Sequence, residues 1–210
     1  MADLAALTAA VEAGNRADAV SLTQAAIDEG LDPNTVLDAM TAAMTEVGRK
    51  FACNEGVYVP EMLIAAHAMK EATAIIEPLL AESGVKPDHT AVIGTVQGDL
   101  HDIGKNLVAM MMEGAGWEVI DLGVDVAPEK FVETLKEKPG SVIGLSALLT
   151  TTMVNMEKTV EMVKGEQPAT LVCVGGAPLT QEFCDKIGAD AYAPDPQGII
   201  EWLDAKVGAN

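Results

Sequence analysis

Aromatic and basic residues are both scarce in this chain of 210 residues. Phe, Trp and Tyr make up 3% of it although hydrophobic residues reach 49%, so the core must be filled by small or flexible side chains such as Ala and Met. Lys and Arg number 13 against 32 Asp and Glu, which gives a formal net charge of −19. Proteins that bind nucleic acid or anionic lipid normally present a basic face. We therefore expect neither nucleic acid nor a membrane as a partner.

Cysteines are also few, and long apolar runs are absent from the sequence. The three cysteines, Cys53, Cys173 and Cys184, show no Cys-x-x-Cys spacing, which argues against a disulfide framework and a structural zinc site. No run approaches the ~20 apolar residues that span a bilayer, and the first residues lack the positive segment of a secretory signal. The sequence thus favours a cytoplasmic protein with reduced cysteines.

The first half of the chain has a helical pattern. Apolar residues recur at three- and four-residue spacing from residue 4 to about residue 83, and no stretch alternates as a half-buried strand would. Helices are predicted at 4–12, 16–29, 32 to about 51, and 59 to about 80. Short loops between four helices favour an antiparallel bundle.

The second half alternates short apolar runs with helical patterns. Turn-forming residues at 83–88 predict a linker between the two halves, and hence a helical domain at 1–84 and an α/β domain at 88–210. Strands are predicted at 90–95, 118–120, 141–145, 170–174 and 190–192, and helices at about 105–115, 128–137, 151–164, 180–187 and 197–205. This order predicts a flavodoxin-like, doubly wound sheet of five parallel strands, with a ligand crevice beside the first strand.

One histidine stands at the point where the first of these strands gives way to a helix. Residues 94–104 read Gly-Thr-Val-Gln-Gly-Asp-Leu-His-Asp-Ile-Gly. An imidazole at that position, His101, can reach a ligand that lies across the strand ends. Asp99, two residues earlier, can hydrogen-bond the second ring nitrogen and fix the tautomer. We therefore place the functional site at His101.

Two more segments follow predicted strands. Residues 146–152 carry an unusual density of hydroxyl groups, and Gly175-Gly176 follows the fourth strand without side-chain bulk. Because the carboxyl ends of parallel strands meet at one edge of a sheet, both segments are expected close to His101. Glycines let a backbone approach a bulky ligand, and hydroxyls can hydrogen-bond it.

The pattern Asp99-x-His101-x-x-Gly104 resembles the signature of cobalamin-binding domains. The longer string from Gly98 to Asn106 resembles the version in cobalamin-dependent methionine synthase and in the corrinoid carrier proteins of methyltransferase systems. The resemblance implies that His101 displaces the dimethylbenzimidazole base and becomes the lower ligand of cobalt. It also implies that Asp99 and a later hydroxyl, at Thr152 or a neighbour, complete a proton relay with His101.

The resemblance implies further cofactor contacts and covers nearly the whole chain. The residues that it assigns to cobalamin binding around His101 are Gly98, Asp99, Asp102, Ile103, Gly104, Ser146, Leu148, Thr150, Thr152, Gly175 and Gly176. The segment from Asn54 to Leu63 resembles part of a four-helix cap that covers the upper face of the cofactor. Tyr58 and Met62 would then form a lid, although an ordinary bundle core explains the same apolar stripe.

The function implied is that of a corrinoid methyl carrier. Its partners would be a substrate-specific methyltransferase, an acceptor methyltransferase for tetrahydrofolate or coenzyme M, and a reductive activase. Because cap and cofactor domain use up the chain, we expect no turnover by this protein alone. The donor substrate and the oligomeric state stay open.

Three alternatives compete with a methyl carrier. The small subunit of an adenosylcobalamin-dependent mutase shares the histidine signature, but the resemblance predicts no helical cap for it. A cobalamin-dependent sensor would be expected to carry a basic DNA-binding region. A flavodoxin-like domain without a corrinoid would leave the pair of Asp99 and His101 unexplained.

Overall fold

The computed structural model describes residues 3–82, 87 and 89–207, with backbone only at 81 and 82. The chain divides into two compact units. The first contains the N-terminal helices and Gly114–Gly116, and the second contains the rest of the described chain from His89 onwards. The linker predicted at 83–88 lies outside the described residues, apart from Pro87.

The first unit is a bundle of four helices, α1 (Leu4–Glu12), α2 (Arg16–Asp28), α3 (Pro33–Ala52) and α4 (Val59–Glu82). Asp3, Asn15 and Asp32 cap the first three, each accepting a hydrogen bond from a main-chain N–H in the first turn. The predicted four helices are confirmed. The bundle core consists mainly of small and flexible side chains, namely Leu7, Val11, Ala19, Ala26, Val36, Met40, Ala43, Ala68 and Ala72.

The second unit alternates strands and helices. Its strands are β1 (Thr90–Thr95), β2 (Glu118–Asp121), β3 (Val142–Ser146), β4 (Val172–Gly175) and β5 (Ala191–Tyr192), and its helices are α5 (Ile103–Gly114), α6 (Pro128–Glu137), α7 (Met153–Glu166), α8 (Gln181–Ile187) and α9 (Pro196–Val207). The strands pair in the order β2-β1-β3-β4-β5, and every pair is parallel. The predicted flavodoxin-like sheet is therefore confirmed.

The two faces of the sheet are filled differently. On one face α6, α7 and α8 bury Phe131, Met156, Val160 and Cys184 against strand residues such as Val92 and Ile143. On the other face α5 and α9 flank a cleft over β1, β3, β4 and β5. The order of the strands reverses between β1 and β3, so the loops after these two strands diverge and leave a crevice at their carboxyl ends.

No helix in the described ranges is long and apolar enough to cross a membrane.

Candidate functional site

The loop between β1 and α5 presents His101 at the carboxyl edge of the sheet. The imidazole Nδ1 lies 2.7 Å from Asp99 Oδ1, and the side chain of His101 is 52% exposed. The loop is tied down at its end, because the Thr95 hydroxyl donates to the carbonyl of His101 over 2.9 Å. With Nδ1 held by a carboxylate, Nε2 is the nitrogen left to meet a ligand.

Asp99 is a buried carboxylate that joins two loops. Its side chain is fully buried. Oδ1 accepts from the main-chain N–H and Nδ1 of His101, at 3.1 and 2.7 Å. Oδ2 accepts from the amides of Leu148 and Leu149, at 2.8 and 3.1 Å, and from the Thr152 hydroxyl at 2.7 Å.

Electrostatics keep Asp99 ionised. Burial raises the pKa of its carboxyl, but hydrogen bonds from Thr152, from His101 and from the Leu148 amide outweigh burial and hold the pKa well below its ordinary value of 3.8. An ionised carboxylate only accepts hydrogen bonds, so the proton between the two side chains belongs to His101 Nδ1. Nε2 is then free to act as an electron-pair donor whenever the ring is neutral.

The segment after β3 supplies the other half of this network. Leu148 and Leu149 form a turn whose amides point at Asp99, and Thr152 stands at the N-cap of α7 with its hydroxyl on the same carboxylate. The structure thus brings together three of the residues singled out from sequence, Asp99, His101 and Thr152. Thr150 is exposed in the same turn, and Ser146 ends β3 beside the cleft.

The predicted glycines serve different purposes. Gly176 has a φ of 138°, and a Cβ at that position would lie 1.8 Å from the carbonyl oxygen of Ala147, so the close approach of the two loops requires glycine. Gly98 has a φ of 84°. A Cβ on Gly104 or Gly175 would meet no atom within 4 Å, so those two positions open onto empty space.

The cleft beside His101 has a volume of about 480 Å³. Its mouth, at the carboxyl edge, is lined by Gly104, Lys105, Ser146, Gly175, Gly176 and Asp195, and its far end by Ala91, Met112, Val142, Cys173, Ile199 and Leu203. From Gly104 to Met112 along α5 is roughly 12 Å at 1.5 Å per residue. The cleft is therefore polar at its mouth and apolar at its bottom.

Apolar side chains are exposed around His101. Leu100 is 71% and Ile103 83% exposed, and the others are Val124, Leu148, Leu149 and Val154. We call these six residues the apolar collar. Asp102 turns into α5, where its carboxylate accepts from Asn106. Exposed apolar groups gathered around one polar centre are typical of a ligand-binding surface.

The residues predicted in the helical unit differ from each other in exposure. Tyr58 is 62% exposed, whereas Met62 is fully buried, as are Ala65 and Met69 on the same stripe. Burial of this stripe fits the core of a bundle, and a lid role for Tyr58 and Met62 stays a prediction.

Sequence reasoning gave Lys105, within the string from Gly98 to Asn106, no contact of its own, and it missed Asp121 and Asp125. Lys105 is buried beside the mouth of the cleft, where its ammonium group pairs with Asp121 and Asn106. Asp125 contacts the backbone of the His101 loop from the loop that follows β2. Asp121 directly follows the strand predicted at 118–120, and Asp125 lies in the loop after it, on the same edge of the sheet. Their position after a strand was the available signal.

The site offers one imidazole and no cage for a free ion. Within the described ranges, no three His, Cys, Asp or Glu side chains come together to hold a metal. A metal that already carries most of its ligands in a macrocycle needs only one from the protein. The fold and the site together define a flavodoxin-like domain that carries a His–Asp pair at the end of β1 and is preceded in the chain by a helical bundle.

Comparison with known proteins identifies the family. Models described as B12 binding domains match residues 89–199 and 4–77. Trimethylamine corrinoid protein 2 of Methanosarcina mazei is 41% identical over 197 residues, 90% of either chain. The chain belongs to the B12-binding family and, within it, to the corrinoid proteins.

Solved structures agree with this assignment. A chain of the methanol:cobalamin methyltransferase complex of Methanosarcina barkeri is 29% identical with a TM-score of 0.85, covering 99% of this chain and 80% of that one. A cobalamin-binding protein of Desulfitobacterium hafniense is 28% identical with a TM-score of 0.81, covering 99% of this chain and all of that one. The predicted class, a corrinoid methyl carrier, is confirmed, and the mutase subunit is not favoured.

Proposed function

We propose that this protein carries a methyl group on cobalamin with His101 as the lower ligand of cobalt. The observation that carries the proposal is the pair of His101 and Asp99 at the carboxyl edge of the sheet, with Nδ1 held at 2.7 Å by a buried carboxylate. A carboxylate that is hydrogen-bonded to the far ring nitrogen of a metal-binding histidine fixes the tautomer and the orientation of the ring.

The residues present fit a corrinoid in three respects. A half-exposed imidazole is available to an incoming ligand. The apolar collar around it suits the lower face of a large flat ring. Gly104 and Gly175 have no side chains, and the space beside them is open to a ligand. When bound, the cofactor supplies a cobalt centre that accepts and releases the methyl group. The protein supplies ligation, burial and presentation.

The protein's own residues control a proton beneath the cofactor. Asp99 remains ionised and holds the proton of His101 on Nδ1, which leaves Nε2 unprotonated for ligation. If no metal were bound at Nε2, Asp99 would still hold the proton of His101 on Nδ1, and Nε2 would be open to solvent. Thr152 and the amides of Leu148 and Leu149 orient the carboxylate throughout, and solvent reaches the half-exposed ring.

The cleft suits the displaced nucleotide tail. The hydroxyl of Ser146 and the carboxylate of Asp195 at the mouth can hydrogen-bond the hydroxyls of a ribose, and the apolar far end matches an aromatic base. This division of polarity supports insertion of the tail between α5 and α9.

The remaining parts of the proposal concern the cap and the partners. Tyr58 and Met62 belong to a lid over the upper face, which limits access of water and moves aside for methyl transfer. A substrate-specific methyltransferase delivers the methyl group, a second methyltransferase removes it to tetrahydrofolate or coenzyme M, and a reductive activase restores the cofactor in the cytoplasm. The names of relatives suggest a methylated amine or methanol as the donor.

The decisive experiment compares the wild type with His101→Ala after reconstitution with hydroxocobalamin. We expect a spectrum of histidine-ligated cofactor in the wild type and its loss in His101→Ala, with His67→Ala as a matched control that leaves the spectrum unchanged. A wild-type spectrum retained in His101→Ala, or no corrinoid bound by the wild type, would contradict the proposal. Anaerobic methyl transfer with candidate methyltransferases then identifies the donor.

A further inference from the structure

Asp125, in the loop between β2 and α6, has an unusual backbone conformation. Its φ is 54°, and among the described residues of the second unit no other non-glycine residue has a positive φ. Asp and Asn tolerate this left-handed region better than other side chains do, but still less well than glycine. An exposed loop residue held in this conformation needs a reason in its contacts.

Asp125 lies in a different loop from Asp99 and forms hydrogen bonds to the main chain on both sides of it. Asp125 Oδ1 accepts from the N–H of Gly98 over 2.7 Å, and the N–H of Asp125 donates to the carbonyl of Asp99 over 3.0 Å. The two bonds hold the peptide groups on either side of the Gly98–Asp99 unit. The loop that contains Asp125 is also hydrogen-bonded to β1. The Thr95 N–H donates to the carbonyl of Gly123, and the Val126 N–H donates to the carbonyl of Thr95.

The two hydrogen bonds of Asp125 matter because the residue before Asp99 is a glycine. Gly98 has a φ of 84° and no side chain to restrain it, so the backbone there has more freedom than at other residues. Rotation at Gly98 would swing the Asp99 carboxylate away from the Leu148 and Leu149 amides, and with it the hydrogen bond to His101 Nδ1. A fixed acceptor on the Gly98 N–H removes that freedom.

We infer that Asp125 is a positioning residue for cobalt ligation: it locks the Gly98–Asp99 backbone, and so keeps His101 oriented towards the cofactor without touching the cofactor itself. The inference rests on the proposed role of His101 as the metal ligand. It extends the network of Asp99, His101 and Thr152 to a third loop of the sheet edge.

Three substitutions separate the hydrogen bond from the backbone conformation. Asp125→Asn keeps an acceptor oxygen and tolerates the positive φ, so it should resemble the wild type. Asp125→Gly suits the φ but removes the acceptor. Asp125→Ala loses the acceptor and strains the backbone.

Two measurements follow each variant. The first is the ratio of histidine-ligated to unligated hydroxocobalamin in the visible spectrum, at fixed pH and equal loading. The second is the exchange rate of the Gly98 amide hydrogen in the cofactor-free protein, measured by NMR. Loss of one hydrogen bond should lower the ratio and speed the exchange by about two- to tenfold in Asp125→Gly, and by more in Asp125→Ala.

The controls distinguish the possible failures. Asp3→Gly removes another Asp side chain that accepts from a main-chain N–H, in the helical unit, and should move neither readout. An unchanged ratio in Asp125→Gly would overturn the inference, whether or not the exchange of the Gly98 amide changes, and so would a fall in the ratio as large in Asp3→Gly. If His101→Ala keeps the ligated spectrum, the proposed function itself fails and the inference falls with it. If His101→Ala loses the ligated spectrum but Asp125→Gly keeps it, the inference fails and the proposed function stands.

Discussion

At the scale of single residues, the site is organised by one carboxylate rather than by the histidine. His101 is half exposed and has few restraints of its own, whereas Asp99 is buried and accepts from both loops. The signature in the sequence predicted the pair, because two residues of separation bring the carboxylate to Nδ1 within one turn. The amides of Leu148 and Leu149 could not be predicted, since main-chain donors leave no mark on composition or spacing.

Thr152 tests the value of a hydroxyl on that carboxylate. Thr152→Val removes one donor from a buried charge, so we expect a loss of about 1–3 kcal/mol in the free energy of unfolding. Thr152→Ser keeps the hydroxyl and should cost about 0.8 kcal/mol or less, the burial of one methyl group. Urea denaturation of the cofactor-free protein measures both.

A second buried threonine of α7 provides the control for Thr152. The Thr159 hydroxyl donates to the Asn155 carbonyl within the helix, and that carbonyl keeps its helical partner when the hydroxyl is removed. Thr159→Val should therefore cost less than Thr152→Val. Equal losses in the free energy of unfolding would show that the Thr152 hydroxyl, which donates to Asp99, stabilises the fold no more than the Thr159 hydroxyl does.

The depressed pKa of Asp99 makes its contribution to stability dependent on pH. Because the folded-state pKa lies below the ordinary value of 3.8, the stabilisation is complete above about pH 4 and is lost as the pH falls towards the folded value. Asp99→Asn places an amide N–H₂ among donors and should cost about 1–3 kcal/mol at pH 7. The difference in the free energy of unfolding between the wild type and Asp99→Asn should become smaller below pH 4. Denaturation curves recorded from pH 7 to about pH 2 measure it.

The exposed carboxylate of Asp185 in α8 serves as the reference for this pH series. Because its side chain is exposed, Asp185→Asn should lower the free energy of unfolding at pH 7 by less than Asp99→Asn does. A gap for Asp99→Asn that stays constant down to about pH 2 would contradict an ionised Asp99 stabilised by its donors.

At the scale of elements, the sequence predicted which helices and strands form, and their ends within a few residues. Proline in the first turn fixed the starts of α3 and α6, and the apolar run of β1 gave its bounds directly. β3 and β4 begin and end later than predicted, because the ends of a strand are set by its partner: Ser146 pairs with Gly175 and continues both strands. The packing of α9 beside the cleft depends on contacts far apart in sequence, which periodicity does not report.

The two adjacent glycines at the end of β4, Gly175 and Gly176, should respond in opposite ways. Gly175→Val points into open space at the mouth of the cleft, so we expect a melting temperature close to that of the wild type but cobalamin affinity reduced at least about tenfold, a cost of about 1.4 kcal/mol. Gly176→Ala would meet the Ala147 carbonyl at 1.8 Å and should destabilise the fold. Thermal denaturation and equilibrium binding measure the two effects.

Cobinamide, which has no nucleotide tail, shows whether the lost affinity comes from the cleft. Gly175→Val should weaken its binding less than that of cobalamin. Equal losses for both ligands would place the effect at the corrin ring instead of the tail, and an unchanged affinity for cobalamin would remove the cleft from the proposal.

At the scale of the whole molecule, the chain combines two units of different construction. The first is a helical bundle with a core of small and flexible side chains, and the second is a doubly wound sheet that carries His101 and the cleft. The shortage of aromatics and the charge of −19 belong to the molecule as a whole. The charge argued against nucleic acid as a partner before any site was considered.

The division of roles between the units can be tested by expressing residues 88–210 alone. Because His101, Asp99, Thr152 and the cleft all lie in the second unit, the fragment should bind hydroxocobalamin with a histidine-ligated spectrum. Without the helical unit, the upper face should be reached by added cyanide at least about tenfold faster than in the full chain, as expected when a lid is removed. Stopped-flow absorbance gives the rate.

Reaction of cyanide at the same rate in both proteins would argue against a lid. A fragment that is folded by circular dichroism but leaves the cofactor unligated would instead show that the helical unit contributes to the lower site.

The sequence by itself determined the helical bundle, the order of strands and helices, and the pair of Asp99 and His101, since these follow from local periodicity and from residues two positions apart. Only the tertiary structure decided which hydroxyl and amides meet Asp99, that Gly176 must be glycine, and that Asp125 reaches the backbone around Gly98. Such contacts join segments about 25 to 55 residues apart at the edge of the sheet. Their formation depends on the register of β1, β2, β3 and β4, which the chain acquires only when it folds.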